Sequence, residues 1–295
     1  MTDFSTLAGR PTKITARGFG WTHAGRTQPA LADIDLVIEP GERVLLCGDS
    51  GSGKSTFLAA IAGVLGSDEE GIRVGEILLE DSTGAVEEPG HSIPVGLVLQ
   101  DPDSQVISAR VGDDIAFGCE NLAYPRKEIW RRVAAAKDLV GPFVDMDFPT
   151  ERLSGGQKQR LALAGVIAMG AGVVLLDEPT ANLDPAGARD VVRAVSALVE
   201  ETGATLVVVE HQHSAWEGLL DRAVELAQGR IVADGPFEQV AMRRRVEGLP
   251  QARELSDGVA REGDAALWSK DLVTRFGPPR TISLPAGAST VITGP

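Results

Sequence analysis

A glycine-rich loop at residues 48–56, Gly48-Asp-Ser-Gly-Ser-Gly-Lys54-Ser55-Thr56, limits the folds and functions open to this chain more than any other segment. It follows the apolar residues 43–47 and leads into residues 57–62, a pattern that predicts a strand, the loop and then a helix. In a G-x-x-x-x-G-K-[ST] loop the glycines let backbone N–H groups converge on a phosphate, and the helix N-terminus attracts the anion. Lys54 then neutralises the β- and γ-phosphates, and Ser55 offers its hydroxyl to Mg²⁺. The loop therefore predicts a nucleotide site.

Composition and charge limit the remaining classes. The 295 residues are 43% hydrophobic and 24% charged, which is typical of a soluble globular protein with one large domain or two ordinary ones. The net charge of -14 argues against a nucleic-acid-binding surface, which needs clustered Lys and Arg. No apolar run approaches the roughly 20 residues that span a bilayer, and we see no secretory signal.

Polar side chains follow three predicted strands. Asp177 and Glu178 end the apolar strand at residues 173–178, where Asp177 is placed for a metal shell and Glu178 to orient or deprotonate water. Gln100 ends the strand at residues 93–100, and His211 ends the strand at residues 206–211. Ligands of open α/β sheets collect at such carboxyl ends, so we expect Gln100 to reach Mg²⁺ or water and His211 to sense the γ-phosphate. Taken singly, a glutamine such as Gln100 is more often a loop residue, and a histidine such as His211 is usually structural.

A second glycine-containing turn, Leu153-Ser154-Gly155-Gly156-Gln157, precedes a predicted helix at residues 158–169. A Ser followed by two glycines presents a hydroxyl, backbone N–H groups and a helix dipole end together, which favours an anion cradle. A plain Ser N-cap explains the same spacing. The residues alone leave both interpretations open.

The first strand, residues 14–23, carries Phe19, Trp21 and His23 on one face. We expect Phe19 and Trp21 to pack in the core. An aromatic ring at the end of such a strand can also stack on a nucleotide base, and for His23 the structural and stacking roles remain open. Further along, the pattern predicts a strand at residues 75–80, a loop at residues 81–91 and a helix at residues 126–140.

These motifs, in this order, resemble the nucleotide-binding domain of the ATP-binding cassette (ABC) superfamily over about residues 12–240. Residues 48–56 match Walker A, Gln100 the Q-loop, residues 153–157 the LSGGQ signature, Asp177 and Glu178 the end of Walker B, residues 181–184 the D-loop, and His211 the switch histidine. The resemblance implies an α/β P-loop NTPase fold with an antiparallel β subdomain, a RecA-like core and a helical signature subdomain. It also implies hydrolysis of ATP with Mg²⁺.

The resemblance also implies site residues. Glu178, His211, Gln100 and Lys54 would be catalytic, and Ser55, Gln100 and Asp177 would surround the metal. The nucleotide would contact Gly48, Asp49, Ser50, Gly51, Ser52, Gly53, Lys54, Ser55, Thr56, His23, Ser154, Gly155, Gly156, Gln157 and Asp184. At the adenine-stacking position the family usually has tyrosine, so Trp21 is the alternative to His23. In this family ATP lies between Walker A of one cassette and the signature of another, in the same polypeptide or in a homodimer.

A narrower resemblance covers the segment from Gln100 to Leu122, with Gln100-Asp-Pro-Asp-Ser-Gln105 at its start. It is similar to the ATPases of energy-coupling-factor importers, which take up vitamins and transition metals. The resemblance implies that this segment contacts integral membrane scaffold and substrate-binding subunits, with the ATPase peripheral to the cytoplasmic face of the cell membrane. Because of the acidic net charge, we expect no nucleic acid as partner. The alternatives are a soluble tandem-cassette ATPase acting on ribosomes or DNA, and an ABC exporter ATPase.

The end of the chain repeats its beginning. At one fixed offset Gly287 matches Gly41 and Gly294 matches Gly48. Phe276 would occupy the adenine-stacking position of the second copy, the position that His23 has in the first. We therefore expect an ABC domain at residues 1–240 with a helical subdomain at about 101–170, a linker at 241–264, and the start of a second, truncated ABC domain at 265–295. The chain would be the N-terminal part of a tandem two-cassette protein. The alternative is a small regulatory strand pair.

Overall fold

The computed structural model describes residues 7, 9–66, 70–141, 144–181, 183–211, 213–241, 265–272 and 280–285. The chain divides into two compact units, Met1–Arg245 and Val246–Pro295. The predictions for the linker, for Phe276 and for Gly287 and Gly294 lie outside the described residues.

The first unit contains a six-stranded sheet and a four-stranded antiparallel sheet. The strands in chain order are β1 (Lys13–His23), β2 (Leu31–Ile38), β3 (Arg43–Gly48), β4 (Gly71–Glu80), β5 (Val86–Glu87), β6 (Val95–Val98), β7 (Val173–Asp177), β8 (Thr205–Val209), β9 (Arg222–Ala227) and β10 (Arg230–Pro236). The helices are α1 (Lys54–Ala62), α2 (Val111–Asn121), α3 (Arg126–Leu139), α4 (Gly155–Met169) and α5 (Pro185–Thr202). None of the described helices is both long enough and apolar enough to cross a bilayer.

The six-stranded sheet forms the core and has the order β10-β9-β3-β8-β7-β6. All neighbouring pairs from β9 to β6 are parallel, so the carboxyl ends of β3, β8, β7 and β6 lie along one edge. In such a sheet, ligands collect at that edge. The four-stranded sheet has the order β2-β1-β4-β5, and its pairs are antiparallel.

Alternation along the core strands distributes their side chains between two apolar clusters. On β7, Val173 and Leu175 join one cluster and Val174 and Leu176 the other. The first cluster also contains Phe57 of α1 and residues of the four-stranded sheet, whereas the second contains the buried faces of α2, α3, α4 and α5. Because both faces of the core sheet are covered, its strands are continuous apolar runs, as parallel strands buried on both sides are. The fold thus has the predicted antiparallel β subdomain, RecA-like core and helical subdomain.

Several predicted element boundaries are wrong. The strand predicted at residues 93–100 is limited to Val95–Val98, so Gln100 lies in the loop beyond it. The strand predicted at 75–80 begins at Gly71 because it pairs with β1 as far as His23, and the loop predicted at 81–91 contains the two-residue β5. The helix predicted from residue 158 begins at Gly155, since Ser154 caps it.

In the second unit, β11 (Ala265–Leu272) pairs antiparallel with β12 (Arg280–Pro285). The described part of this unit is therefore a strand pair. A strand pair is expected both for the start of a second ABC domain and for the small regulatory strand pair that is the alternative.

Candidate functional site

The loop at residues 48–53 connects the end of β3 to the start of α1, as predicted. Glycine is required at two of its positions. A Cβ on Gly48, which has φ 147°, would lie 2.2 Å from the carbonyl oxygen of Leu226, and one on Gly53, at φ 105°, would lie 2.6 Å from that of Ala30. The fold therefore clamps the loop between neighbouring backbones, and its shape is set before any ligand binds.

Lys54 reaches back across this loop. Its Nζ donates hydrogen bonds of 2.9 Å to the carbonyl oxygens of Gly48 and Asp49, and the residue is only 6% exposed. An ammonium group held in the curve of a glycine loop is a phosphate-binding arrangement. Asp49, Ser50 and Gly51 are exposed at the tip of the loop, Ser52 is buried, and Ser55 and Thr56 lie in the first turn of α1.

Ser55 and Asp177 meet at the carboxyl edge of the core sheet. Asp177 is the last residue of β7, and the Ser55 hydroxyl donates a hydrogen bond to its carboxylate. Burial raises the pKa of Asp177, and the Ser55 hydrogen bond opposes that rise. A partly buried carboxylate beside a hydroxyl matches the oxygen ligands that Mg²⁺ takes from a protein when phosphates supply the rest.

The Glu178 carboxylate, after β7, contacts side chains that follow the two neighbouring strands β6 and β8. Its Oε2 accepts a hydrogen bond of 2.8 Å from Gln100 Nε2, and its Oε1 lies 3.0 Å from His211 Nε2. The three residues follow β7, β6 and β8, which are adjacent in the sheet. Glu178 also has φ 48°, a left-handed conformation that is unusual for a residue other than glycine. The backbone N–H of Glu178 donates a hydrogen bond of 2.9 Å to the carbonyl oxygen of Val209. This bond holds the strained residue against β8.

Sequence reasoning missed two residues next to this cluster. Glu210 is 5% exposed, and its Oε2 accepts a hydrogen bond of 2.8 Å from Thr180 Oγ1. Its Oε1 accepts the backbone N–H of His211 at 3.1 Å. The available signal was a charged residue at the end of an otherwise apolar strand.

Ser154 has the geometry of a helix N-cap. Its Oγ accepts the N–H of Gln157 at 3.4 Å, and Gln157 Oε1 accepts the N–H of Ser154 at 2.9 Å, which completes a capping box at the start of α4. The N-cap interpretation of this turn is therefore confirmed.

The same turn borders a groove of about 410 Å³, lined also by Leu183 and Asp184 and by none of residues 48–56. Asp184 caps α5, with its Oδ1 3.0 Å from the N–H of Gly187, so two helix N-termini border the groove. Among the described residues outside the first turns of α4, the atom nearest to a Cβ on Gly155 or Gly156 would be 3.7 Å away. The fold therefore leaves room for side chains at both glycines, and the two helix N-termini favour an anion beside them.

His23 ends β1 and is exposed, whereas Trp21 is buried in the core, as predicted. Trp21 Nε1 donates a hydrogen bond of 3.1 Å to His23 Nδ1, and the two rings are nearly perpendicular at 84°. Of the two candidates, only His23 has a ring that a base can reach.

Comparisons with known proteins agree with this geometry. The sequence profile of the ABC transporter family matches residues 31–181. An energy-coupling factor transporter ATP-binding protein, EcfA1 of Caldanaerobacter subterraneus subsp. tengcongensis, is 37% identical over 245 residues, which are 81% of this chain and 86% of that protein. A putative ABC transporter ATP-binding protein of Methanosarcina acetivorans is 38% identical over 226 residues, and the match spans 76% of this chain but only 35% of that protein.

Among solved structures, cbiO1 of Clostridium perfringens, part of the ABC transporter complex cbiONQ, matches with a TM-score of 0.67 and 31% identity. The match covers 81% of this chain and 93% of cbiO1. The chain therefore belongs to the ABC transporter family and is an ATP-binding ATPase of that family.

Proposed function

We propose that this protein is the ATPase subunit of an importer of the energy-coupling-factor type, which takes up a vitamin or a transition metal. The observation that carries the proposal is the convergence of Gln100, Glu178 and His211 at the sheet edge that also holds Ser55 and Asp177. The 37% identity to EcfA1 over most of both chains supports the importer assignment.

Within this proposal, the loop at residues 48–56 binds the phosphates of ATP and Lys54 neutralises their charge. Glu178 acts as general base on the attacking water, and Gln100 and His211 orient that water and the γ-phosphate. Ser55, Asp177 and Gln100 would hold Mg²⁺, which supplies charge neutralisation to the phosphates. Catalysis then comes mainly from positioning and electrostatic stabilisation.

In this proposal, the groove beside the LSGGQ turn, which we call the signature groove, binds a second nucleotide. Its residues Ser154, Gly155, Gly156, Gln157 and Asp184 would contact ATP bound to a partner cassette. The open groove at two helix N-termini supports this, because the N-terminal end of a helix attracts an anion. Binding of ATP would close the two cassettes on each other, and hydrolysis would let them separate.

The partner cassette, in this proposal, is encoded in the same polypeptide. The strand pair β11 and β12 supports this, because its register repeats that of β1 and β2. Leu267 pairs with Leu284 as Ile14 pairs with Ile38, and Leu272 pairs with Arg280 as Phe19 pairs with Ile34. The register shift between the two pairs recurs as well, between Ser269 and Leu272 and between Ala16 and Phe19. We infer cassettes beginning at residues 1 and 265, with residues 241–264 as linker.

The membrane scaffold subunit would bind the segment from Gln100 to Leu122. Asp114 Oδ2 accepts the N–H groups of Ile107 and Ser108 at 2.8 Å each, which fixes this segment against α2. The Ile107 residue is 60% exposed, and Phe117 of α2 is 38% exposed. Apolar side chains held outward on a rigid support favour a protein partner.

Native mass spectrometry of the protein purified from detergent-solubilised membranes tests the proposal. We expect a polypeptide near twice 31.0 kDa together with small hydrophobic membrane subunits. Ile107→Glu should abolish their co-purification, whereas Val232→Glu, at a residue of β10 that is 55% exposed, should not. A species that instead co-purifies with ribosomes or DNA would contradict the importer assignment.

A further inference from the structure

Glu210 is a buried carboxylate to which the proposed hydrolysis assigns no task. It directly precedes His211 and follows β8, in which all five residues are buried. Burial of a carboxylate is costly unless hydrogen bonds satisfy its oxygens, so an acidic residue at this position needs a reason.

The two oxygens of this carboxylate join different segments. Oε2 accepts the hydroxyl hydrogen of Thr180, which follows β7, and Oε1 accepts the backbone N–H of His211, which follows β8. The donor distances are 2.8 Å and 3.1 Å. Glu210 therefore fixes the segment after β7 relative to the peptide group of His211.

The Thr180 segment leads from the catalytic cluster to the signature groove. On one side, the N–H of Ala181 donates 3.1 Å to the carbonyl of Glu178. On the other, the N–H of Leu183 donates 3.3 Å to the carbonyl of Thr180, and Leu183 lines the groove. A shift of Thr180 would therefore move both Glu178 and the wall of the groove.

We propose that Glu210 is a positioning residue that couples His211 to the segment between Glu178 and the signature groove. It acts through other residues: it holds the His211 peptide and, through that peptide, the imidazole that faces Glu178. The inference rests on the proposed function, in which His211 and Glu178 act on ATP.

Variants at both ends of the Thr180–Glu210 hydrogen bond test this. Glu210→Met and Thr180→Val remove the bond while keeping side-chain size. We expect each to lower kcat by about tenfold or more with KM for ATP within about twofold, because each removes at least one hydrogen bond to a charged group. Glu210→Met also removes the acceptor of the His211 N–H, so it should be at least as slow as Thr180→Val. The double variant should be no slower than Glu210→Met alone, because that change already removes the bond that Thr180→Val breaks.

Two conservative variants should restore the rate. The Glu210→Gln carbonyl can accept the His211 N–H while its amide donates to the Thr180 hydroxyl, and Thr180→Ser keeps that hydroxyl. Thr202→Val is the matched control: it removes a buried hydroxyl that bonds to the carbonyl of Leu198 within α5, and it should leave kcat unchanged.

The ATP hydrolysis rates of these variants test the role of Glu210 separately from the proposed function on which it rests. If Glu210→Met and Thr180→Val hydrolyse ATP at the rate of the unaltered protein while His211→Ala is slow, the coupling role is wrong and the proposed function stands. If His211→Ala is also fully active, the proposed catalytic assignment itself fails. Should Glu210→Met not fold, the comparison of Thr180→Val with Thr180→Ser decides the question alone: equal rates overturn the proposal and rescue by Ser supports it.

Discussion

Gln100 Nε2 donates a hydrogen bond of 2.8 Å to Glu178 Oε2, joining the loop after β6 to the end of β7. The opposite oxygen of the same carboxylate lies 3.0 Å from His211 Nε2. The Glu178 carboxylate is therefore held from both sides, and its direction is fixed by residues from two neighbouring strands. Such fixed geometry is what a general base needs, because proton transfer depends on reach and alignment.

Lys54→Ala should lower the affinity for ATP about 100-fold, since it removes a cation held by the carbonyls of Gly48 and Asp49 in the phosphate loop. Isothermal titration calorimetry with ATP measures the change. The control is Lys127→Ala, which removes an exposed charge in the first turn of α3. Equal affinities of the Lys54 variant and the unaltered protein would remove Lys54 from the site.

Asp177→Asn should stabilise the fold near neutral pH and abolish hydrolysis. Burial raises the pKa of Asp177 above the ordinary value of 3.8, so the ionised form is disfavoured in the folded state. The free energy of unfolding therefore falls as pH rises from the ordinary pKa of Asp177 through its raised pKa in the folded state. Above both pKa values the loss of stability is constant. The gain from Asn should therefore be full at about pH 7 and vanish as pH falls towards the ordinary value.

Urea denaturation of both proteins over this pH range measures the effect. Asp145→Asn, at an exposed position, should change the free energy of unfolding by no more than about 0.5 kcal/mol at any pH. If Asp177→Asn were instead less stable at neutral pH, hydrogen bonds and nearby charges would more than offset the cost of burying the ionised carboxylate.

Trp21→Phe should raise KM for ATP about threefold without changing kcat, because it removes the donor that orients the His23 ring. In a His23→Ala background the same change should have no effect on KM. Steady-state kinetics of the four proteins form the cycle, and Phe19→Leu on the same strand controls for loss of core packing. An equal effect of Trp21→Phe in both backgrounds would separate Trp21 from His23.

Arg222→Ala should lower the free energy of unfolding by about 3 kcal/mol, the low end for breaking a buried ion pair, because Arg222 is only partly buried. Arg222 bonds to both oxygens of Asp234 at 2.6 Å, to Glu42 and to the carbonyl of Val37, and the pairing with Asp234 raises the pKa of the guanidinium. Chemical denaturation measures the loss. Arg193→Ala breaks an exposed pair with Asp190 and should cost less than about 0.5 kcal/mol, so equal losses would refute the role of Arg222.

The sequence predicted the core strands and the phosphate loop well because their signals are local. Residues 44–47 are an apolar run followed by Gly48, and residues 173–176 are an apolar run followed by Asp177. In that context the glycine-rich loop predicts a phosphate-binding turn. Element ends were predicted less well. The start of α4 at Gly155 depends on a reciprocal hydrogen bond between Ser154 and Gln157, which no periodicity reports.

The contacts between strand ends were outside the reach of local patterns. Gln100 and His211 both contact the Glu178 carboxylate. This contact follows only from the strand order, which places β6, β7 and β8 side by side. The roles of Glu210 and Thr180 were missed for the same reason. Their hydrogen bond joins residues 30 positions apart, and a threonine and a glutamate at these positions do not by themselves predict that they pair.

Phosphate release by Glu178→Gln, measured together with ATP binding, tests the central claim most directly. The change keeps an acceptor for Gln100 but removes the base, so we predict that hydrolysis falls at least about 100-fold while ATP affinity stays within about twofold, with the closed dimer accumulating. Glu201→Gln, at an exposed position of α5, should hydrolyse ATP normally. Undiminished phosphate release by Glu178→Gln would contradict the assignment of Glu178 as general base.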